Sequence, residues 1–147
     1  MPRLKPLQEW YCDKCGDIVN IDRGWVEWIN PLDETVHSFH IVHNDDKCYF
    51  HDREYSRSDL PVTNLLGPDG LQWLLSFLDP KAEGDSQRFS RSSLASIQDI
   101  FRRLHVPHYE EARRYFRDAT YDGSDLRDLQ NSAPDELINI IERYEGP

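Results

Sequence analysis

The clearest alternation of apolar and polar side chains lies near the N-terminus. Gly24-Trp25-Val26-Glu27-Trp28-Ile29 reads as a strand, closed by the turn signal Asn30-Pro31. Thr35 to His43 reads as a second strand. It places His37, Phe39, Ile41 and His43 on one face and Val36, Ser38, His40 and Val42 on the other. The connection at 30–34 is short enough for an antiparallel hairpin.

From Ser58 the period becomes helical. Residues 59–66 predict a short helix stopped by Gly67-Pro68, and 71–78 a more apolar one. Residues 79–93 are polar and read as a linker. Ser93 is the expected cap of a helix whose Leu94, Ile97, Ile100, Phe101 and Leu104 share one face. His105-Val106-Pro107 ends it. Tyr109, Ala112, Tyr115, Phe116 and Ala119 mark a further helix, and 121–132 reads as loop. Ser132 with Asp135 resembles a capping box for a last helix over 134–144, with Leu137, Ile138 and Ile141 facing inward. The four tryptophans, Trp10, Trp25, Trp28 and Trp73, are expected in a core that joins the strands to the helices. No internal repeat is visible.

Composition adds bounds. The chain has 147 residues, 38% hydrophobic and 12% aromatic, which is ample for a core. A mean hydropathy of -0.74 marks a surface-rich protein of the kind that often needs a staple. No stretch approaches the roughly 20 apolar residues of a membrane span, and Met1 to Trp10 lacks the apolar core of a signal peptide. The expectation is a cytoplasmic protein with no membrane partner.

The net charge of -10 is unevenly spread. Residues 88–117 carry seven arginines against Asp99, Glu110 and Glu111, between acidic flanks. Arg102, Arg103, Arg113, Arg114 and Arg117 cluster around one turn and form a candidate surface for a phosphate or carboxylate partner. Glu110 and Glu111 are placed to neutralise part of it. The stretch from Ile97 to Phe116 invites a helix-turn-helix comparison, but Glu111 and Arg114 occupy positions that should be buried. A plain helical bundle fits better.

Three cysteines, two of them as Cys12-x-x-Cys15, suit metal binding better than a disulfide framework. A redox Cys-x-x-Cys would need a βαβ context, and the residues after Cys15 read as hairpin. Zinc requires four ligands at tetrahedral corners, and Cys-x-x-Cys followed by Gly16 supplies a two-thiolate knuckle. Cys48 supplies the third ligand. For the fourth, His43 at the end of the second strand is preferred, with His51 as the reserve. His40 points to the other face of the strand, and His37 lies too early on it.

These residues, Cys12-x-x-Cys15-Gly16, a hairpin, then His43 and Cys48, resemble the zinc-ribbon and treble-clef group of small metal modules. The resemblance covers about 10–52 and implies a fold element and one structural zinc, with no particular activity. It departs from the usual pattern by having a wider His/Cys pair where a second Cys-x-x-Cys normally stands. Three thiolates and a histidine close the zinc shell, His-Glu-x-x-His and deaminase signatures are absent, and no nucleophile–base constellation appears.

The resulting expectation is an α+β chain. A zinc-stapled antiparallel β-hairpin module spans 1–57, and about four helices span 58–147. It is expected to be a non-enzymatic protein-interaction or adaptor module, with nucleic-acid binding through the arginine helices at 93–119 as the alternative.

Overall fold

The structure, a computed structural model, describes residues 3–31, 36–50, 56–78 and 90–146. It is a mixed α and β fold with two small antiparallel sheets. Strands β1 (Glu9–Tyr11) and β2 (Ile18–Asn20) form a ribbon in which Trp10 pairs with Val19. Strands β3 (Gly24–Ile29), β4 (His37–His43) and β5 (Arg57–Pro61) form the second sheet, in the order β4-β3-β5.

The expected hairpin is present as β3 and β4, with Gly24 opposite His43 and Val26 opposite Ile41. The register shifts between Glu27 and Ile29, where Ser38 takes a positive φ of 58°. Ser38 and Phe39 together face one residue of β3, so β4 does not keep the strict alternation its sequence suggests. Thr35, the expected first residue of this strand, is outside the described residues.

The segment predicted as a helix at 59–66 folds otherwise. Leu60 pairs with Val26 as part of β5, and Pro61, which has no N–H to donate, ends this edge strand. A 3₁₀ turn, Val62–Leu65, follows. Gly67-Pro68 starts a helix instead of stopping one: α1 (Gly67–Leu75) carries Pro68 in its first turn, where a missing N–H costs nothing. Its Gly70 is packed so closely on Leu65 that a Cβ would lie 2.1 Å from the Leu65 carbonyl carbon. A 3₁₀ turn at Ser76–Leu78 extends α1.

Helix α2 (Arg91–His105) is capped by Ser90, whose side chain accepts from the Ser93 N–H; Ser93 itself is buried within the helix. The single helix expected at 109–119 is two: α3 (Tyr109–Arg113) and α4 (Phe116–Tyr121). Between them Tyr115 N–H bonds the Ala112 carbonyl, three residues back, which breaks the α-helical ladder. The expected loop at 121–132 contains α5 (Leu126–Gln130). Asp125 caps it by accepting from the N–H groups of Arg127 and Asp128. Helix α6 (Pro134–Glu145) begins after Ala133, and Ser132 donates to the Asp128 carbonyl instead of serving a capping box.

The main core draws on strands and helices alike: Trp10, Val26 and Ile41 meet Leu65, Leu74, Ile97, Ile100 and Leu104. A second cluster packs Tyr109, Ala112 and Phe116 against Leu129, Leu137 and Ile141. Of the tryptophans, Trp10 and Trp28 are buried. Trp73 remains 38% exposed with its ring set edge-on to Trp28 at 5.6 Å. Trp25 packs in a third, smaller cluster against Cys12, Val42 and Cys48.

Candidate metal centre

The two sheets deliver four ligand groups to one place. Cys12 and Cys15 lie in the turn joining β1 to β2, His43 is the last residue of β4, and Cys48 follows on the next turn. The turn is closed by the Gly16 N–H bonding the Cys12 carbonyl, and the Cys12 N–H bonding that of Asp17. Gly16 has φ of 81°, in the region that L side chains avoid, which is why a glycine follows the knuckle. The Cys48 N–H bonds the Asp45 carbonyl, which folds the chain back toward His43.

The ligand atoms of Cys12, Cys15, His43 and Cys48 all lie within 4.8 Å of one another. His43 Nδ1 is 3.5 Å from Cys15 Sγ and 3.7 Å from Cys48 Sγ. A tetrahedral zinc with sulfur at about 2.3 Å and nitrogen at about 2.0–2.1 Å has sulfur–nitrogen edges of about 3.6 Å. The measured separations match that edge. The other ring nitrogen, Nε2, is 3.2 Å from the Ile18 carbonyl. A carbonyl can only accept, so Nε2 carries the proton and Nδ1 turns its lone pair toward the sulfurs. The four residues can hold one metal ion.

The electrostatics of the cluster also suit a cation. Burial acts to raise the Cys12 thiol, but N–H groups of Cys15, His43 and Lys14, with the His43 ring, outweigh it and bring it down to about 7. Cys48 is pushed up to about 12, first by burial and then by the neighbouring Cys15 and Cys12 sulfurs. The protein by itself accommodates one thiolate and opposes another. A dication among the sulfurs reverses that balance.

The other two histidines of β4 have partners of their own. The His40 ring stacks on Phe50 at 3.9 Å, and His37 bonds Ser38. His51, the reserve ligand, lies outside the described residues.

Sequence reasoning missed what supports the knuckle. Asp13, between the two cysteines, accepts from the Ile41 N–H at 2.8 Å and from Arg103 at 2.7 Å. Arg103 is 2% exposed, and Nε and one terminal nitrogen grip Glu110 at 2.7 and 2.8 Å. It also donates to the Tyr11 carbonyl, while Glu110 accepts from the Tyr11 N–H. Burial opposes the Arg103 charge, but Glu110 and then Asp13 more than restore it. Trp10 donates to the Arg103 carbonyl at 2.8 Å. The end of β1 is therefore bonded to α2 and α3 beside the metal ligands. A second ion pair, buried Glu27 with partly exposed Arg57, joins β3 to β5, and Glu27 also accepts from the Phe50 N–H.

Several of the arginines expected to form one partner-binding surface have partners within the chain. Arg103 is buried. Arg113 forks Asp99 at 3.1 and 2.7 Å, and Arg102 bonds Asn131. Arg114 lies over the Tyr11 ring at 4.2 Å. Arg114 and Arg117 are exposed. Burial acts to raise the Asp99 carboxyl, but the Arg113 hydrogen bonds and charge win and hold it below its ordinary range. That pair stabilises the fold above the ordinary carboxylate pKa and loses its contribution as pH falls through the depressed value. Asp99→Asn is expected to flatten the acid limb of a thermal-stability profile while changing its neutral-to-alkaline shape little; an unchanged acid limb would refute this assignment.

Compared with protein-family models, curated proteins and solved structures, the chain gives no significant match, so the site carries the functional argument alone.

Proposed function

We propose that the chain is a non-enzymatic interaction module whose β-rich part is stapled by one structural zinc ion on Cys12, Cys15, His43 and Cys48. One observation carries the reading: three sulfurs and an imidazole nitrogen gathered within 4.8 Å, two of the sulfur–nitrogen separations at the edge length of a zinc tetrahedron, and the histidine tautomer set by the Ile18 carbonyl. Tetrahedral sites of sulfur and nitrogen favour zinc. Four protein ligands leave no position for water or substrate, and three thiolates blunt the Lewis acidity that catalysis needs. The zinc is a scaffold.

An odd number of cysteines, two of them as Cys12-x-x-Cys15, supports a reducing, cytoplasmic setting. Among the described residues no helix is long and apolar enough to cross a membrane. A protein partner is favoured over nucleic acid because Arg103 and Arg113 are spent on internal carboxylates and the chain is net negative. Apolar side chains also reach the surface of α1, with Leu71, Trp73 and Leu75 at 37–41% exposure.

The nucleic-acid reading has its own test. Titration against single-stranded and duplex DNA from low to moderate salt is expected to show no binding. The preference for protein would be overturned by affinity that falls steeply with salt and depends on these arginines. In that case an Arg113→Ala/Arg114→Ala variant flattens the salt slope by about one unit for each phosphate it no longer neutralises.

A further inference from the structure

Resting on the zinc reading, the geometry points to Cys15 as an oxidation site: a small neutral peroxide attacks it, Cys12 resolves the product as a disulfide, and the metal is released. The four ligands differ in access. Cys12 and Cys48 are buried at 2% and 8% exposure, whereas Cys15 is exposed at the rim of the knuckle. An open cleft borders Cys15, His43 and the largely covered Cys48, with Arg23 and Lys47 as well as Asp17 and Asp45 around it; of the two sulfurs on it, only that of Cys15 belongs to an exposed residue. Such a mixed lining gives neither an anionic nor a cationic oxidant an advantage, so the class that fits is hydrogen peroxide or a small alkyl hydroperoxide.

The chemistry needs little movement. The Cys15 thiolate attacks one peroxide oxygen, the O–O bond breaks, and hydroxide or alkoxide leaves with a proton from water. Cys15 becomes a sulfenic acid. The Cys12 thiolate then attacks that sulfur, forming the S–S bond and expelling hydroxide, which is protonated to water. Two thiolates lose two electrons in all, and one peroxide is reduced. The ligand sulfurs already lie within 4.8 Å, and a disulfide needs about 2.0 Å. Cys12 is the natural resolving group because it shares a four-residue turn with Cys15, so rotation within the knuckle closes the gap. Cys48 belongs to a separate turn after β4. With two of its four ligands withdrawn, the metal cannot be kept by His43 and Cys48.

The test uses the full-length, zinc-loaded chain. Hydrogen peroxide is added in increments while a chromogenic chelator reports free zinc, and free thiols are then alkylated and the protein is cut with trypsin. Cleavage after Arg3, Lys14, Arg23, Lys47 and Arg53 puts each cysteine in its own peptide. The expected result is zinc release in step with a disulfide joining peptides 4–14 and 15–23, reversed by a dithiol reductant with added zinc. Zinc retained under excess peroxide would overturn the proposal. So would a link between 4–14 and 48–53 that leaves Cys15 alkylated. If the chain takes up no zinc at the outset, the zinc reading fails. The peptide map of the metal-free chain then still shows whether Cys15 is oxidised first and paired with Cys12.

Discussion

Cys12→Ser is expected to abolish metal binding and to unfold the region around β1, β2 and the end of β4. Cys12 is the most deeply buried of the four ligands, and its sulfur receives N–H groups from the knuckle and from His43. A serine oxygen is a poor zinc ligand and leaves three groups to hold the ion. Structural zinc contributes on the order of 10 kcal/mol of apparent folding free energy in isolated small modules. Here the loss is smaller, because Trp10 and Val19 are also held in the main core with Ile97 and Leu104. Hydrogen exchange locates the damage: amides of 9–20 and 41–48 should lose protection far more than those of α6. Full metal content and unchanged protection in the serine variant would show that Cys12 is no ligand.

Arg103→Ala is the second large effect, at about 3–5 kcal/mol, the range for removing one partner of a buried ion pair. Glu110 is 7% exposed at its side chain and Asp13 18%, and both would be left beside a cavity with no cation. The ordinary expectation for an arginine on a helix is a few tenths of a kcal/mol. Urea unfolding separates the two values. A control distinguishes charge from packing: Arg103→Met combined with Glu110→Gln should recover part of the loss, since the carboxylate that most needs the guanidinium is then neutral. A midpoint for Arg103→Ala close to that of the parent protein would mean that the network contributes little.

The two predictions fall on opposite sides of what the sequence made legible. The grouping of Cys12, Cys15, His43 and Cys48 rested on local patterns: a knuckle spacing, a glycine after it, and a strand whose last residue is a histidine. Such patterns survive folding because neighbours in sequence decide them. Arg103 is different. It adjoins the apolar face marked by Ile97, Ile100 and Leu104, and its burial is decided by Asp13, 90 residues earlier in the chain, together with Glu110. No periodicity encodes that. Strand β5 was hidden for the same reason, since Arg57 to Pro61 is irregular by itself and is a strand only because β3 offers it a partner. The error at Gly67-Pro68 was one of direction: the pair suits a helix start as well as a stop, and the close approach of Gly70 to Leu65 decides between them. Helix α5 was legible in principle, because Asp125 followed by Leu126 and Leu129 is a capped turn. The acidic composition of the segment suggested a loop instead.

Metal content together with zinc-edge X-ray absorption on the purified chain decides whether Cys12, Cys15, His43 and Cys48 hold zinc. One zinc per chain is expected, with three sulfur neighbours at about 2.3 Å and one nitrogen at about 2.0–2.1 Å. A chain that neither carries nor takes up zinc, or a zinc with fewer than three sulfur neighbours, would contradict it.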